Sequence, residues 1–169
     1  MTLANTAMLP FLRALEGRSL GTAQSVNPAL AGLADKLKVR NGSAVLERQG
    51  FSFPSAEYVK QSFTDWTGFE CFTNAIHIED FYSGADAIEM LRQAMGFSKL
   101  IQDKMPSPPL PLRFIVSLDK FEGHDQCVFK FHVIRASESW LAEDIEGYKE
   151  PVLTWTSSES VFLGLTRKD

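Results

Sequence analysis

The residues best suited to chemistry in this sequence are its three histidines, His77, His124 and His132. His77 is the one nearest to acidic side chains, since Glu79 and Asp80 follow it within three residues. On a β-strand, residues two apart share a face, so His77 and Glu79 together can hold a metal ion or act as an acid–base pair. The competing interpretation is a polar, outward-facing His77 that hydrogen-bonds to a neighbour.

No other catalytic motif is found in the chain. The histidines lack the i, i+4 spacing of a helical metal site, and neither Cys71 nor Cys127 belongs to a Cys-x-x-Cys pair. His132 is expected beside Lys130 on the solvent face of a strand, and His124 in a mobile loop. There is also no G-x-S-x-G elbow, no P-loop and no G-x-G-x-x-G fingerprint. We therefore expect no catalytic residue, no cofactor and no metal, and hence no enzyme.

An acidic segment with aromatic side chains spans residues 138–150. It contains five acids and one lysine around Trp140 and Tyr148. If the segment forms a short helix, Trp140, Asp144 and Tyr148 lie on one side of it. One interpretation is a connecting helix whose aromatic side chains pack on a sheet. The other is an acidic rim around aromatic anchors, a composition that suits capture of a basic protein.

Acidic residues are concentrated in two parts of the chain, although the formal net charge is only −4. Residues 57–90 contain seven acids and one base, and residues 136–169 contain seven acids and three bases. An acidic face of this kind repels nucleic acid and favours a basic protein partner, because complementary potentials speed encounter. An ordinary solvated surface is the alternative interpretation.

The length and composition predict a single domain over residues 1–169, with a core that needs no disulfide. Cys71 and Cys127 are expected to be reduced, buried thiols. No stretch approaches about 18 apolar residues, and the N-terminal segment lacks the pattern of a signal peptide. We therefore expect no membrane contact and a cytoplasmic location. The sequence carries no signal for a particular oligomeric state.

Helical periodicity comes early and strand alternation late, which predicts an α+β fold with helices packed on one face of a mainly antiparallel sheet. Helices are predicted over 3–15, 28–39, 55–66 and 83–104, the last capped by Ser83. Strands are predicted over 43–49, 72–78, 112–118, 127–134, 152–156 and 161–165. The proline-rich residues 106–111 are expected to form a rigid connector.

The clearest strand pair is 112–118 with 127–134. Apolar residues occupy every second position in both runs, and Gly123 lies between them. This pattern predicts an antiparallel hairpin with one face on the core. The side chains expected to be buried are Phe114, Val116, Phe129 and Phe131.

Two segments resemble sequences of bacterial polymorphic-toxin immunity proteins. They are Phe72-Thr-Asn-Ala-Ile-His-Ile-Glu-Asp-Phe-Tyr82 and Arg135-Ala-Ser-Glu-Ser-Trp-Leu-Ala-Glu-Asp-Ile-Glu-Gly-Tyr-Lys149. Such proteins are small cytosolic partners that neutralise a delivered toxin by binding it. The resemblance implies a binder without enzymatic activity that is made beside its toxin. It also implies an acidic surface where the toxin is a nuclease with a basic substrate site.

These observations predict a stoichiometric inhibitor that binds a cognate bacterial toxin domain through an acidic face bearing aromatic side chains. The residues predicted to contact the toxin are Glu79, Asp80, Tyr82, Trp140, Glu143, Asp144, Glu146 and Tyr148. Two alternatives stay open. One is a small enzyme or ligand-binding domain with a pocket near His77 and Glu79, and the other is an adaptor or chaperone for a secreted protein.

Overall fold

The computed structural model describes residues 2–16, 25–82 and 84–159. Its helices are α1 (Leu9–Leu15), α2 (Pro28–Ala34), α3 (Ala56–Phe63), α4 (Trp66–Thr73) and α5 (Ala87–Lys104). Its strands are β1 (Leu3–Ala4), β2 (Leu37–Arg40), β3 (Ser43–Leu46), β4 (Ile76–His77), β5 (Leu112–Phe121), β6 (His124–Val133) and β7 (Val152–Thr156). Short 3-10 turns cover Thr6–Met8, Ile78–Phe81 and Ile145–Gly147. Within these ranges, no helix combines the length and the hydropathy needed to cross a membrane.

Five strands form one antiparallel sheet in the order β1-β7-β5-β6-β4, and β2 and β3 form a separate hairpin. The predicted α+β class is therefore confirmed. β5 and β6 pair along their whole length, with Leu112 opposite Val133 and Phe121 opposite His124. The side chains predicted to be buried in this hairpin are all buried completely: Phe114, Val116, Phe129 and Phe131. The alternation of apolar residues correctly predicted both the pairing and the buried face.

The main core lies between this sheet and helices α1, α2 and α5. Asp86 begins α5, because its carboxylate accepts a hydrogen bond from the backbone N–H of Glu89 at 2.7 Å. The helix then continues through Gly96 without a break. Phe97 on α5 meets Phe129 on β6 edge to face, with ring centroids 5.4 Å apart. Helix α5 thus provides much of the apolar cover of the sheet.

Helices α3 and α4 build a smaller apolar cluster beside the β2–β3 hairpin. Its buried members are Val45, Val59 and Phe69. Helix α4 contacts both β3 and β6. It therefore fills the space between the small hairpin and the stretch of β6 that extends past the short strand β4.

Some predicted elements differ from the structure. Residues 3–15 and 28–39 were expected to be continuous helices, but each range holds a shorter helix and strand residues. Residues 72–78 were expected to be a strand, yet they begin with the end of α4, and only Ile76–His77 pairs with β6. A short apolar run has the same appearance in a buried helix and in a strand, which explains this error. The predicted strand 161–165 and the Ser83 cap lie outside the described residues.

Candidate functional site

The acidic segment lies in the connection between β6 and β7, residues 134–151. Because β6 and β7 flank β5 in the sheet, this connection has to cross β5. Hydrogen bonds between side chains and backbone within the connection hold its conformation. The Tyr148 hydroxyl accepts a hydrogen bond from the N–H of Ala142 at 3.0 Å, and Asp144 accepts one from the N–H of Glu146 at 3.0 Å. The crossing is therefore an ordered surface.

The end of the connection is tied to the N-terminal part of the chain. Both carboxylate oxygens of Glu146 lie 3.0 Å from the backbone nitrogen of Thr6, whose N–H they accept. The buried amide of Asn5 donates to the carbonyls of Tyr148 and Glu150 at 3.2 and 2.8 Å. Glu146 and Tyr148, both predicted to contact a partner, thus also hold the connection in place.

Three other predicted contact residues face solvent. Trp140 is 40% exposed, and its ring lies 4.6 Å from Nζ of Lys130 in a cation–π contact. Glu143 and Asp144 are exposed, and Glu143 makes no hydrogen bond or ion pair with the described residues. The short helix considered for this segment is absent, because the chain forms only the turn Ile145–Gly147, which contains a glycine. The connection presents two carboxylates and an indole to solvent.

The remaining predicted contact residues, Glu79, Asp80 and Tyr82, lie beside β4. One oxygen of Glu79 is 3.0 Å from Nδ1 of His77, and the other accepts the backbone N–H of Cys127 at 3.0 Å. Glu79 therefore satisfies an otherwise unpaired donor on the edge of β6. Asp80 is exposed and Tyr82 is half-buried. His77 and Glu79 are paired, as their spacing on a strand predicted. Both carboxylate oxygens of Glu79 already have hydrogen-bond partners within the protein.

The two groups of predicted contact residues lie toward opposite edges of the sheet. Glu146 is attached to the segment that follows β1, whereas Glu79 is attached to the β4 edge. Four strand spacings separate β1 from β4, which is roughly 19 Å. A protein interface of about 800 Å² per partner is roughly 30 Å across. The distance across the sheet alone therefore does not prevent one partner from contacting both groups.

A buried carboxylate joins the two sheets. Glu70 on α4 is completely buried, although it belongs to the acidic run that was expected to form a surface. It accepts five hydrogen bonds of 2.6–2.9 Å, from the Ser43 hydroxyl, the backbone N–H groups of Ala44 and Val133, and two nitrogens of Arg135. Its donors come from β3, from β6 and from the connection. The expectation that Glu70 contributes to an acidic face was wrong. Its carboxylate is buried because five protein donors replace its hydrogen bonds to water.

Arg135 links this buried carboxylate to the acidic connection. Its guanidinium also donates to the carbonyl of Gly42 at 2.9 Å. Burial lowers the pKa of Arg135, but hydrogen bonds and the charge of Glu70 outweigh burial and raise this pKa overall. Three residues later, Glu138 accepts the N–H of Thr67 at 2.9 Å. The start of the connection is thus fixed to α4, as its end is fixed to the N-terminal segment.

Asn74, which caps the C-terminal end of α4, makes the same kind of bridge. Its carbonyl oxygen accepts the N–H of Leu46 at 2.9 Å. Its amide nitrogen donates to the carbonyls of Ala44 and Phe131 at 2.9 and 3.0 Å. No motif distinguishes Glu70 or Asn74 in the sequence. Their position four residues apart, on one helix face between aromatic residues, is the only signal that could have indicated shared burial.

His132 and both cysteines are buried, whereas His77 and His124 are exposed. His132, expected on the solvent face, is only 2% exposed. Its Nδ1 donates to the carbonyl of Val133 at 2.9 Å, and its Nε2 has no partner in the described part of the chain. Cys71 and Cys127 are free and buried, and burial raises the pKa of the Cys71 thiol to about 12. His124 is exposed where β6 begins. Across the described ranges, no group of three or more such side chains or carboxylates is arranged to hold a metal ion.

The clefts on the described surface include three of about 300–460 Å³. The first, of about 420 Å³, lies beside Asp119 and Lys149, and the second, of about 460 Å³, lies beside Pro109 and Ser157. A third, of about 300 Å³, lies between α3 and α4 and is lined largely by aromatic side chains. None of these three is lined by His77 or Glu79, the residues for which a ligand pocket was considered.

Comparison with protein families gives one match, which covers residues 3–164 and is described as the Uncharacterized protein PM0498 family. No curated protein matches the chain. No solved structure matches it either. The match covers nearly the whole chain, so it includes the acidic connection, the buried Glu70 network and the aromatic cleft.

Proposed function

The chain belongs to the Uncharacterized protein PM0498 family, and we propose that it is an immunity protein, which neutralises a cognate bacterial toxin by binding it stoichiometrically. The observation that carries this proposal is the fixed acidic connection between β6 and β7. It is anchored at both ends by half-buried hydrogen bonds, and it presents Trp140, Glu143 and Asp144 to solvent.

A surface that is held in one conformation suits tight binding. A flexible loop has to be ordered when it binds, and each immobilised side chain costs about 0.5–1.5 kcal/mol of affinity. Here Arg135 and Glu138 fix the start of the connection, and Glu146 fixes its end. The partner therefore meets carboxylates and an indole that are already in place.

The exposed groups favour a basic protein as the partner. Carboxylates at the rim of an interface increase the association rate of a positively charged partner, and Trp is frequent among residues that dominate binding energy. Glu143 and Asp144 are adjacent to each other and close in sequence to Trp140. A toxin domain whose own site is basic has the complementary surface. Nucleic acid and membrane lipids, by contrast, offer this acidic surface no attraction.

The polar groups that are candidates for catalysis have structural roles, which supports a binding function. Glu70 is saturated by five hydrogen bonds, and Glu79 is shared between His77 and the backbone of Cys127. The enzyme or ligand-binding alternative at His77 and Glu79 gains no support from this arrangement. We propose that the protein acts in the cytoplasm, without a cofactor or a metal.

Co-expression with the toxin is the direct test of this function. The toxin candidate is the C-terminal domain of a large secreted protein encoded immediately upstream of the gene for this chain. Its expression alone is expected to stop growth, and co-expression with this chain is expected to restore it. Growth arrest that persists in the presence of well-folded protein would remove the immunity proposal.

Trp140→Ala separates an interface role from a core role. The indole is 40% exposed, so we expect the melting temperature to change by no more than a few degrees. Affinity for the toxin domain is expected to fall by about 2 kcal/mol or more, mainly through faster dissociation. A matched control is Phe121→Ala, which removes another exposed aromatic side chain, at the end of β5. A lower melting temperature with unchanged affinity would assign Trp140 to packing.

A further inference from the structure

The cleft between α3 and α4 combines aromatic walls with one cationic group. It has a volume of about 300 Å³ and is lined by Arg48, Phe51, Tyr58, Phe63, Phe69 and Phe72. Phe63 lies between the others, with its ring centroid 5.4 Å from that of Phe69 and 5.3 Å from that of Phe72. The volume is at the lower limit of pockets that bind small molecules.

The corner between the two helices holds these rings in position. Asp65 begins α4 by accepting the N–H of Gly68 at 2.7 Å. A Cβ atom at Gly68 would lie 2.3 Å from the carbonyl oxygen of Phe63, so only glycine permits this close approach. Thr64, with φ of +73°, turns the chain between the helices. Phe63 is thereby fixed against α4, and the cleft has one defined wall.

Two aromatic rings that line the cleft are largely exposed to solvent. Tyr58 is 54% exposed and Phe72 is 68% exposed. The buried part of this cluster, formed by Val45, Val59 and Phe69, is already complete without them. Exposed apolar patches next to a concave surface mark binding sites.

Arg48 gives the cleft its polarity. One of its terminal nitrogens donates to the carbonyl of Ala75 at 3.0 Å, and its other N–H groups have no partner among the described residues. Of the described residues that line the cleft, Arg48 is the one with a charged side chain. A guanidinium pairs with a carboxylate through two parallel hydrogen bonds, and aromatic walls stack on a planar apolar ring.

We propose that this cleft binds a small molecule that carries an aromatic ring and a carboxylate. The ring packs between Tyr58 and Phe72 against Phe63, and the carboxylate pairs with Arg48. The cleft and the acidic connection are formed by different residues. This site therefore does not depend on the proposed toxin inhibition, and either proposal can fail without the other.

Titration with phenylacetate, followed by amide chemical shifts of the ¹⁵N-labelled protein, tests the site. The neutral isostere phenylacetamide is the ligand control. A ligand of this size is expected to bind with a dissociation constant on the order of 1 mM. The shifts should saturate and should map to residues 48–58 and 63–73, and phenylacetamide should bind at least about 10-fold more weakly because it lacks the charge-assisted pair.

Variants of the lining assign the contacts. Arg48→Met removes the charge and keeps the unbranched stem of the side chain, and Phe72→Ala removes an exposed wall. Each is expected to weaken phenylacetate binding by at least about 5-fold, whereas Phe121→Ala, outside the cleft, leaves it unchanged. The site is refuted if no saturable shift appears up to about 20 mM. It is also refuted if phenylacetamide binds equally well, or if Arg48→Met binds like the wild type.

Discussion

Replacement of Glu70 by Gln tests the buried network that joins the two sheets. Glutamine has the same shape, but it brings one acceptor oxygen and an NH2 group with two N–H donors to a place where five donors converge. The amide nitrogen therefore faces N–H groups, and because the site is buried, water cannot accept the hydrogen bonds that these groups lose. Arg135 also loses the nearer of its two carboxylate partners, the other being Glu138 at 3.7 Å, while its side chain is only 19% exposed.

The cost can be worked out from these contacts. A buried donor without an acceptor costs about 1–3 kcal/mol. Removal of one partner from a buried ion pair costs about 3–5 kcal/mol. The two costs overlap, because both describe the same lost acceptor, so we expect Glu70→Gln to destabilise the fold by about 3–5 kcal/mol. This is a large fraction of the roughly 5–15 kcal/mol by which a domain of this size is stable.

Arg135→Met is expected to cost less than Glu70→Gln. Glu70 then keeps three donors, namely the Ser43 hydroxyl and the N–H groups of Ala44 and Val133. We expect a loss of about 1–3 kcal/mol. In a double-mutant cycle, the combined variant should be less destabilised than the sum of the single variants by at least about 1.5 kcal/mol, because both remove the same pair.

Urea unfolding followed by circular dichroism measures these differences, provided that the m-value stays constant. Asp103→Asn is the matched control, since Asp103 pairs with Lys99 on the exposed face of α5, where both side chains are at least half exposed. It should cost no more than about 0.5 kcal/mol. A Glu70→Gln variant that is as stable as Asp103→Asn would refute the role assigned to the network.

Three further predictions concern stability. Phe129→Ala should cost about 3–5 kcal/mol in urea unfolding, because it opens a cavity in a fully buried site, and a cost below about 1 kcal/mol would contradict the packing described. Gly68→Ala should lower stability by about 2 kcal/mol or more, since the new Cβ would meet the Phe63 carbonyl, and an unchanged melting temperature would be inconsistent with the 2.3 Å approach. Burial lowers the pKa of His132, so the unfolded chain binds more protons and stability should fall as the pH drops from about 6.5 toward this lowered pKa. His132→Gln should flatten that decline, and a variant with the same pH profile as the wild type would show that His132 does not titrate in this way.

Much of the fold followed from local patterns in the sequence. The alternation around Phe114 and Phe129 predicted the central hairpin, because a strand with one buried face has a period of two residues. The long helix α5 was predicted from its helical repeat, although it begins at Ala87 with Asp86 as its cap. Helix α4 was missed because its end was assigned to the predicted strand 72–78, and a short apolar run looks the same in a buried helix and in a strand.

The polar part of the structure could not be predicted in the same way. Glu70 looks like any surface acid, since its burial depends on donors from residues 43–44 and 133–135, which the fold brings together. Glu79 was identified next to His77, but its bond to the backbone of Cys127 depends on the β4–β6 pairing. Contacts of this kind are set by tertiary structure and leave no periodic signal.

In the acidic connection, the exposure of side chains was predicted better than the backbone conformation, since the short helix considered there did not form. Trp140, Glu143 and Asp144 are accessible, as a binding role requires. Glu146 differs from them because it anchors the connection through Thr6. Substitution of Glu146 would therefore disturb the surface as well as its charge, so a test of electrostatics has to leave it intact.

The association rate with the toxin domain, measured as a function of salt, tests the central claim most directly. The variant Glu143→Gln/Asp144→Asn removes two charges and keeps the acceptor that Asp144 offers to the N–H of Glu146. The matched control Glu47→Gln/Glu57→Gln removes two exposed charges outside the connection, one just after β3 and one in the first turn of α3. We predict that the first variant associates roughly 3–10-fold more slowly at low salt with a flatter salt dependence, and that the control stays within about twofold of the wild type. Equal association rates for the wild type and both variants would contradict the claim that the acidic connection binds the toxin.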